Sequence, residues 1–210
     1  MSKKRFSKSS QRWIKEHGAD RYVKQANKAG YRSRAVYKLA QIDARDHLFQ
    51  PNMTVIDLGA APGGWSQWIS QRFPHKIRVF ALDILQMNPL PDVTFIHGDF
   101  REQVVVDNLL NQLAYDKANL VISDMAPNIS GMKAIDQPRI MLLAELVKDF
   151  AYDVLAPDGH LLTKVFQGEG FDAYIKALKP HFKQVIIRKP EASRSRSSEV
   201  YVLAKHYQTQ

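Results

Sequence analysis

Short apolar runs and longer amphipathic stretches alternate along the chain. The apolar runs have the length of buried β-strands, roughly four to eight residues, and turn residues bound them. They cover residues 53–58, 78–83, 93–97, 119–124, 160–166, 183–188 and 199–205. Stretches with a helical spacing of apolar residues fill most of the gaps, at residues 33–46, 64–72, 101–113, 137–155 and 170–179. This alternation predicts an α/β fold with a doubly wound, mostly parallel seven-stranded sheet.

The last two predicted strands need a different connection from the others. Only residues 189–198 separate them, whereas a parallel pair needs a crossover of about a dozen residues or more, usually with a helix. We therefore expect residues 183–188 and 199–205 to pair antiparallel, as a C-terminal hairpin that closes the sheet.

The first predicted helix begins at Ser33, which we expect to be its N-cap. Leu39 and Ile42 lie on its apolar face, and Lys38 should point away from them. A lysine at such a position is more often a solvated surface residue.

The turn after the first strand is the most informative segment, and it reads DLGAAPGGW at residues 57–65. It follows an apolar run typical of a strand buried on both faces. In open α/β sheets, ligands bind at the carboxyl ends of the strands, at a topological switch point. Glycines remove side chains where a ligand must approach the backbone. The candidate binding residues of this turn are Asp57, Gly59, Pro62, Gly63 and Gly64.

The same turn indicates the kind of ligand. A dinucleotide site requires G-x-G-x-x-G, and Ala61 stands where the second glycine would meet a pyrophosphate. The second strand ends at Asp83, about 20 residues after the turn, from where a carboxylate can bind both hydroxyls of a ribose. These features favour an adenosine without phosphates.

Acidic residues close four successive strands. Asp57 can orient the turn or bind an ammonium group, Asp83 can bind the ribose, and Asp99 can accept from an exocyclic amine. Asp124 lies beyond the cofactor, where a substrate would meet it. Each acid taken alone could instead cap the helix that follows it.

Lys164 lies inside the apolar run LLTKVF, where an unpaired ammonium group is costly. If Asp124 and Lys164 end adjacent strands, they are neighbours across the sheet edge. Lys38 from the first helix and Glu199 from the last strand could complete an alternating Lys-Asp-Lys-Glu cluster.

Composition limits the chemistry. The 210 residues fit one domain. The chain has no cysteine, which excludes disulfides, thiolate metal sites and a thiol nucleophile, so a methyl-transferring enzyme would need a substrate heteroatom that is already nucleophilic. The seven histidines are scattered, and we predict no metal. No apolar run reaches the roughly 18 residues of a membrane helix, and the basic start lacks the apolar centre of a secretory signal, so we expect the protein in the cytoplasm or an equivalent compartment. The sequence leaves the oligomeric state open, and we expect a monomer.

The positive charge is concentrated at one end. The net charge is +9, and the first 50 residues contain 13 Lys or Arg against 4 acids. Aromatic residues interleave with these charges (Trp13, Tyr22, Tyr31 and Tyr37), a combination that suits RNA. We predict an RNA-binding arm at residues 1–30 before a single domain at residues 31–210. The predicted phosphate contacts are Arg32, Arg34, Arg194 and Arg196.

Four segments resemble the FtsJ/RrmJ family of ribosomal RNA 2′-O-ribose methyltransferases: DLGAAPGGWS (57–66), SDMAPN (123–128), KVFQGEG (164–170) and SRSRSSEVY (193–201). The resemblance implies a Rossmann-like methyltransferase fold, S-adenosylmethionine as donor, and methylation of a uridine ribose in 23S RNA of the large ribosomal subunit. It implies a catalytic set of Lys38, Asp124, Lys164 and Glu199. It implies cofactor contacts at Gly63, Trp65, Asp83, Asp99 and Asp124.

The chemistry of such a transfer suggests a role for Lys164. The enzyme must align a hydroxyl with the methyl group and help to remove its proton, so we expect Lys164 to be the general base. Three alternatives stay open: methylation of a base amine, disfavoured because Asn128 is not aromatic; a non-catalytic RNA-binding assembly factor with a vestigial cofactor site; and a nicotinamide dehydrogenase, disfavoured by Ala61.

Overall fold

A seven-stranded mixed sheet organises the residues that the computed structural model describes, 20–114 and 116–209. The strands are β1 (Thr54–Leu58), β2 (Arg78–Asp83), β3 (Val93–His97), β4 (Ala118–Ser123), β5 (Leu155–Phe166), β6 (Phe182–Arg188) and β7 (Glu199–Tyr207). The helices are α1 (Arg21–Lys28), α2 (Val36–Asp46), α3 (Gly64–Arg72), α4 (Gln103–Gln112), α5 (Lys133–Val154) and α6 (Phe171–Leu178).

The strand order is β3-β2-β1-β4-β5-β7-β6, and β7 runs in the opposite direction to the other six strands. The chain order reverses between β1 and β4, which is the switch point at which α/β sheets bind ligands. The predicted parallel sheet and its antiparallel C-terminal hairpin are confirmed. One further detail emerges, because β7 inserts between β5 and β6 and β6 therefore lies at the edge.

Alternate strand residues face two separate apolar cores. Val55 and Val79 pack with α2 and α3 on one face, whereas Ile56 and Phe80 pack with α4, α5 and α6 on the other. The central strands are therefore apolar on both faces, which explains their near-continuous hydrophobic sequence. None of the described helices combines the length and apolar content needed to cross a membrane.

The start of α2 corrects one prediction. Ser33 is not the N-cap, because the helix begins at Val36 and the capping position is Ala35. Instead the Ser33 hydroxyl accepts a hydrogen bond from the Ala35 amide (3.1 Å) and shapes the turn before the helix.

Two elements begin several residues earlier than predicted, for reasons that lie elsewhere in the chain. β5 starts at Leu155 rather than at residue 160, because Leu155 pairs with Ala118 of β4 ahead of a register shift. α5 starts at Lys133 rather than at residue 137. The carboxylate of Asp136, in its first turn, accepts hydrogen bonds from Ser130 and Gly131 and fixes the entry to the helix.

The predicted N-terminal arm is only partly described. Residues 1–19, which include Trp13, lie outside the described residues. The end of the arm forms α1, whose N-cap Asp20 accepts a hydrogen bond from the Tyr22 amide (2.9 Å). Tyr22 contacts Tyr37 (ring centroids 5.4 Å apart), so this helix packs on α2 through aromatic side chains.

Candidate active site

The carboxyl edge of the parallel strands carries the four predicted acids. Asp57 is the next-to-last residue of β1, Asp83 is the last residue of β2, and Asp124 directly follows β4. Asp99 does not close β3 as predicted but lies two residues beyond it, in the turn that leads to α4. All four residues line cavities at this edge of the sheet.

Asp124 is the centre of a charged cluster at this edge. Lys164 Nζ lies 3.0 Å from Asp124 Oδ1 and also donates to the backbone carbonyl of Asp124. Lys38 Nζ lies 3.7 Å from the same carboxylate oxygen. The Tyr201 hydroxyl also donates a hydrogen bond to Oδ1. One carboxylate oxygen therefore faces two ammonium groups and a phenol.

Glu199 completes the cluster from the other side of Lys38. Its Oε1 lies 2.7 Å from Lys38 Nζ and accepts a hydrogen bond from the Ser193 hydroxyl (2.8 Å). The contacts thus run Lys164–Asp124–Lys38–Glu199, in the alternating order predicted from sequence. Lys38 is not a solvated surface residue, since its side chain is only 11% exposed.

Strand register explains how residues distant in sequence meet here. β5 and β7 pair antiparallel, with Lys164 opposite Tyr201 and Phe166 opposite Glu199. Directly opposite residues project from the same face of a sheet, so Lys164 and Tyr201 are neighbours. Tyr201 was missed by the sequence analysis, although a residue two positions after Glu199 on a strand must share its face. Ser193 was also missed, and no local signal marks it.

The electrostatics of the cluster favour fixed charges. Burial opposes ionisation of Asp124, but Lys164, Lys38 and the hydrogen bond from Tyr201 outweigh it and hold the pKa of Asp124 below its usual value. Burial, together with the Asp124 and Glu199 carboxylates, raises the pKa of Tyr201 well above its usual value. Tyr201 therefore remains a hydrogen-bond donor at all physiological pH values.

Two cavities adjoin the cluster and share Gly59, Ala61 and Asp124. The smaller, about 70 Å³, is lined by the turn after β1 and by Trp65. The larger, about 570 Å³, extends past Asp83 and Asp99 to α5. Among the predicted cofactor residues, these lining sets contain Asp57, Gly59, Pro62, Gly64, Trp65, Asp83, Asp99 and Asp124. Gly63 lines neither cavity.

Close packing against protein atoms explains the glycines of the turn. A Cβ on Gly59 would lie 1.9 Å from Met125 Cγ, and one on Gly64 would lie 2.9 Å from Ser33 Cβ. Gly63 has a φ of +99°, and a Cβ there would lie 2.9 Å from Arg32 Nη1. These residues therefore admit neighbouring side chains, a requirement that the sequence analysis had assigned to a ligand.

The other three acids along the cavities, Asp57, Asp83 and Asp99, differ in their hydrogen-bond partners. Burial raises the pKa of Asp57 to about 7, although the Ser66 hydroxyl donates to it (2.7 Å). Asp83 accepts from the amides of Ala61 (2.8 Å) and Leu85 (2.7 Å), which fixes its carboxylate against the turn. Hydrogen bonds from Arg101 lower the pKa of Asp99.

A third cavity, about 260 Å³, lies beside the charged cluster and is lined by Arg34, Lys38, Arg194, Ser197 and Glu199, together with Ala35. Arg34 reaches it only in part, because its guanidinium donates to the Asp20 carboxylate and the Ala192 carbonyl. Arg196 lies exposed on the same loop as Arg194.

Arg32 lies away from this third cavity. Its guanidinium donates to three backbone carbonyls, those of Pro62, Asn88 and Pro89. The four predicted phosphate contacts therefore have different surroundings.

This sheet order, with acidic residues and a glycine-rich turn at the switch point, defines a Rossmann-like methyltransferase. A solved ribosomal RNA methyltransferase from Plasmodium falciparum superposes with a TM-score of 0.78 at 29% identity, covering 86% of this chain and 100% of that one. The profile of the FtsJ-like methyltransferases matches residues 31–207.

Curated relatives agree over almost the whole length. The chain is 57% identical to ribosomal RNA large subunit methyltransferase E of Alcanivorax borkumensis, covering 97% of this chain and 98% of that protein. It is also 57% identical to the protein of the same name from Chromohalobacter salexigens, covering 96% of each. The chain belongs to the FtsJ-like methyltransferase family, and S-adenosylmethionine is its cofactor.

Proposed function

We propose that the protein transfers the methyl group of S-adenosylmethionine to the 2′-hydroxyl of a uridine in 23S RNA of the large ribosomal subunit. The observation that carries this proposal is the Lys164–Asp124–Lys38–Glu199 cluster, which directly adjoins the cofactor cavities. The names of the two bacterial relatives support large-subunit RNA as the substrate.

Lys164 acts as the general base in its neutral amine form. A neutral amine has two N–H groups and one lone pair. The two N–H groups match the two acceptors that contact Nζ, the carboxylate and the carbonyl of Asp124. The lone pair is then directed to the third position, where it accepts the proton of the substrate hydroxyl. Asp124 orients Lys164 and takes no proton itself, since its own pKa is held low.

Lys38 and Glu199 form the second half of the reacting centre. Glu199 holds Lys38 in place at 2.7 Å, and Lys38 places a second positive charge beside Asp124. This ammonium group can stabilise negative charge that develops on the ribose oxygen.

The donor set along the cavities fits S-adenosylmethionine, which supplies an electrophilic methyl group on a sulfonium. Each carboxylate oxygen of Asp83 accepts one amide hydrogen bond and keeps one lone pair for a ribose hydroxyl. Asp99 accepts from the adenine amine, and Asp57 attracts the ammonium group of the methionine part. Trp65, Gly59, Pro62, Gly63 and Gly64 shape the turn around the ligand.

RNA approaches from the basic side of the cluster. Arg194 supplies a phosphate contact beside Lys38 and Glu199, and Arg196 supplies another from the same loop, whereas the Arg34 guanidinium is held by Asp20 and Ala192. The basic sequence of residues 1–30 adds positive charge ahead of the methyltransferase domain at residues 31–210. The protein acts as a cytoplasmic monomer on RNA of the large ribosomal subunit.

Methyl transfer from labelled S-adenosylmethionine to large subunits that lack the modification tests the proposal. Wild type should label a uridine ribose, and Lys164→Ala should lose about 10²- to 10⁴-fold in rate, the usual contribution of a general base. S-adenosylmethionine binding by the variant should be nearly unchanged. Lys183→Ala, at an exposed lysine on β6, is the matched control and should be fully active.

Three results would contradict the proposal. A fully active Lys164→Ala enzyme would exclude Lys164 as the base. Label on a base rather than on ribose would exclude the substrate atom. No label on particles or on free RNA, from a protein that binds S-adenosylmethionine, would favour a non-catalytic assembly factor.

A further inference from the structure

The segment from Gly30 to Ala35 is hydrogen-bonded to side chains at the start of α3. The Gln67 side chain binds it twice, accepting from the Arg32 amide (2.9 Å) and donating to the Gly30 carbonyl (2.9 Å). The Trp65 indole N–H donates to the Ala35 carbonyl (2.8 Å). Since α3 begins directly at the glycine-rich turn, this segment and the cofactor turn form one hydrogen-bonded unit.

Arg32 makes the most extensive of these connections. Its Nη1 donates to the carbonyls of Asn88 (2.8 Å) and Pro62 (3.2 Å), and its Nη2 donates to Pro89 (2.9 Å). Pro62 belongs to the cofactor turn, and residues 88–89 belong to the loop after β2. The guanidinium therefore bridges two loops, and Gly63 leaves the space that it occupies.

These contacts differ from those of a phosphate-binding arginine. A phosphate-binding guanidinium directs its planar pair of donors outward to the ligand. In Arg32 both terminal nitrogens are directed to backbone carbonyls of the protein instead. The sequence-based expectation that Arg32 contacts RNA therefore needs revision.

The neighbouring residues give the segment two sides. Ser33 and Ala35 line the small cofactor cavity. Arg34, between them, faces the opposite way and binds Asp20 at the start of α1 and Ala192 in the β6–β7 loop. One short segment therefore contacts the cofactor site on one side and the basic surface on the other.

We propose that Arg32 is a positioning residue for the cofactor turn, and that residues 30–35 couple the binding of S-adenosylmethionine to the binding of RNA. The first part rests on the contacts of Arg32, and the second also rests on the proposed RNA-binding function. Coupling of this kind is reciprocal, so each ligand must tighten the other by the same factor.

Calorimetric binding of S-adenosylmethionine tests the first part. Arg32→Ala should bind about tenfold more weakly, because charge-assisted hydrogen bonds that hold the turn are lost. Arg32→Lys should recover part of the affinity. Arg72→Ala, at an exposed arginine at the end of α3, is the matched control and should bind like wild type. Thermal unfolding shows whether each variant is folded. If Arg32→Ala does not fold, the binding measurement is made with Arg32→Lys.

Salt dependence of RNA binding separates the two roles of an arginine. Removing one phosphate contact lowers the slope of log K against log salt by about one. Arg194→Ala should show this change, whereas Arg32→Ala should keep the wild-type slope. In wild type, S-adenosylhomocysteine should tighten RNA binding by about fivefold or more, and this factor should fall toward one in Arg32→Ala.

An Arg32→Ala protein with unchanged cofactor affinity and a reduced salt slope would overturn the proposal. Wild type whose RNA affinity is the same with and without S-adenosylhomocysteine would overturn the coupling. Wild type that binds the cofactor but not ribosomal RNA would overturn the coupling and the proposed function together, while the cofactor measurement would still decide the role of Arg32.

Discussion

The ends of β1 and β4 carry a buried and a half-buried acid whose pKa values are shifted in opposite directions. Asp57 and Asp124 lie on adjacent parallel strands, with Leu58 paired to Ser123 just before Asp124. The pKa of Asp57 is raised to about 7, whereas the pKa of Asp124 is lowered. Burial raises the pKa of both carboxyl groups, so it cannot explain why the two pKa values are shifted in opposite directions.

The partners of the two acids explain it. Asp57 accepts a hydrogen bond from the neutral hydroxyl of Ser66, which only partly offsets burial. Asp124 faces the ammonium groups of Lys164 and Lys38 and the phenol of Tyr201. One strand end therefore holds an acid that exchanges its proton near neutral pH, and the next holds a permanent carboxylate. The first can respond to a cationic ligand, and the second can keep two lysines in place.

The largest effect is expected from Asp124→Asn. The substitution leaves Lys164 and Lys38 close together without the carboxylate between them, and breaking a buried ion pair in this way costs about 3–5 kcal/mol. Methyl transfer should fall at least about 10³-fold, because Lys164 loses its orienting acceptor. Denaturant unfolding and single-turnover transfer measure the two effects. A stable, active Asp124→Asn protein would remove the distinction between the two acids.

The same substitution at Asp57 should have the opposite effect on stability. In wild type the unfolded chain releases the Asp57 proton near pH 4, but the folded protein keeps it until about pH 7. Wild-type stability therefore falls as pH rises through this window, and Asp57→Asn escapes that loss. Between pH 4 and pH 8, the free energy of unfolding of the variant should rise relative to that of wild type by on the order of 3–4 kcal/mol.

Denaturant unfolding of wild type and Asp57→Asn at pH 4.5, 6 and 8 measures this difference in stability. The comparison of wild type with Asp57→Asn requires that Ser66 still donates to the carboxamide oxygen of the variant. A crystal structure of the variant would test this. A stability difference that stays constant with pH would contradict a raised pKa for Asp57.

The smallest effect is expected from Tyr201→Phe. This change removes one of the groups that lower the pKa of Asp124 but leaves both lysines in place. Loss of one hydrogen bond to a charged group should cost about 1.5–3 kcal/mol. That cost corresponds to a fall in the rate of transfer of about 10- to 10²-fold. Tyr207→Phe, whose hydroxyl donates to the Tyr152 carbonyl far from the cluster, is the matched control and should leave transfer unchanged.

Much of the fold was readable from sequence because the signals are local. Apolar run lengths and the short link before the last strand predicted the parallel sheet and its closing hairpin. The early starts of β5 and α5 were not readable, because Leu155 depends on a pairing with Ala118 and the α5 entry depends on hydrogen bonds to Asp136. These contacts depend on the folded structure and not on the residues next to them in sequence.

Some residues of the site could likewise be predicted from sequence, and others could not. Lys164 was identifiable because a lysine within an apolar strand needs a partner, and Asp124 because it ends the neighbouring strand. The contacts of Arg32 were not identifiable, because its acceptors are backbone carbonyls as far away as Pro89. A basic residue near an RNA-binding arm looks the same in sequence whether it binds phosphate or protein.

The insertion of β7 between β5 and β6 has a consequence for synthesis of the protein. Ribosomes make the chain from its N-terminus, so residues 199–207 emerge after every other strand. Glu199 and Tyr201 both lie on β7, and without them Lys38 loses its closest carboxylate and Asp124 loses a donor. A nascent chain that ends before β7 therefore lacks the assembled cluster. An enzyme proposed to modify ribosomal RNA therefore acquires its reacting centre only after the last strand of its sheet has been translated.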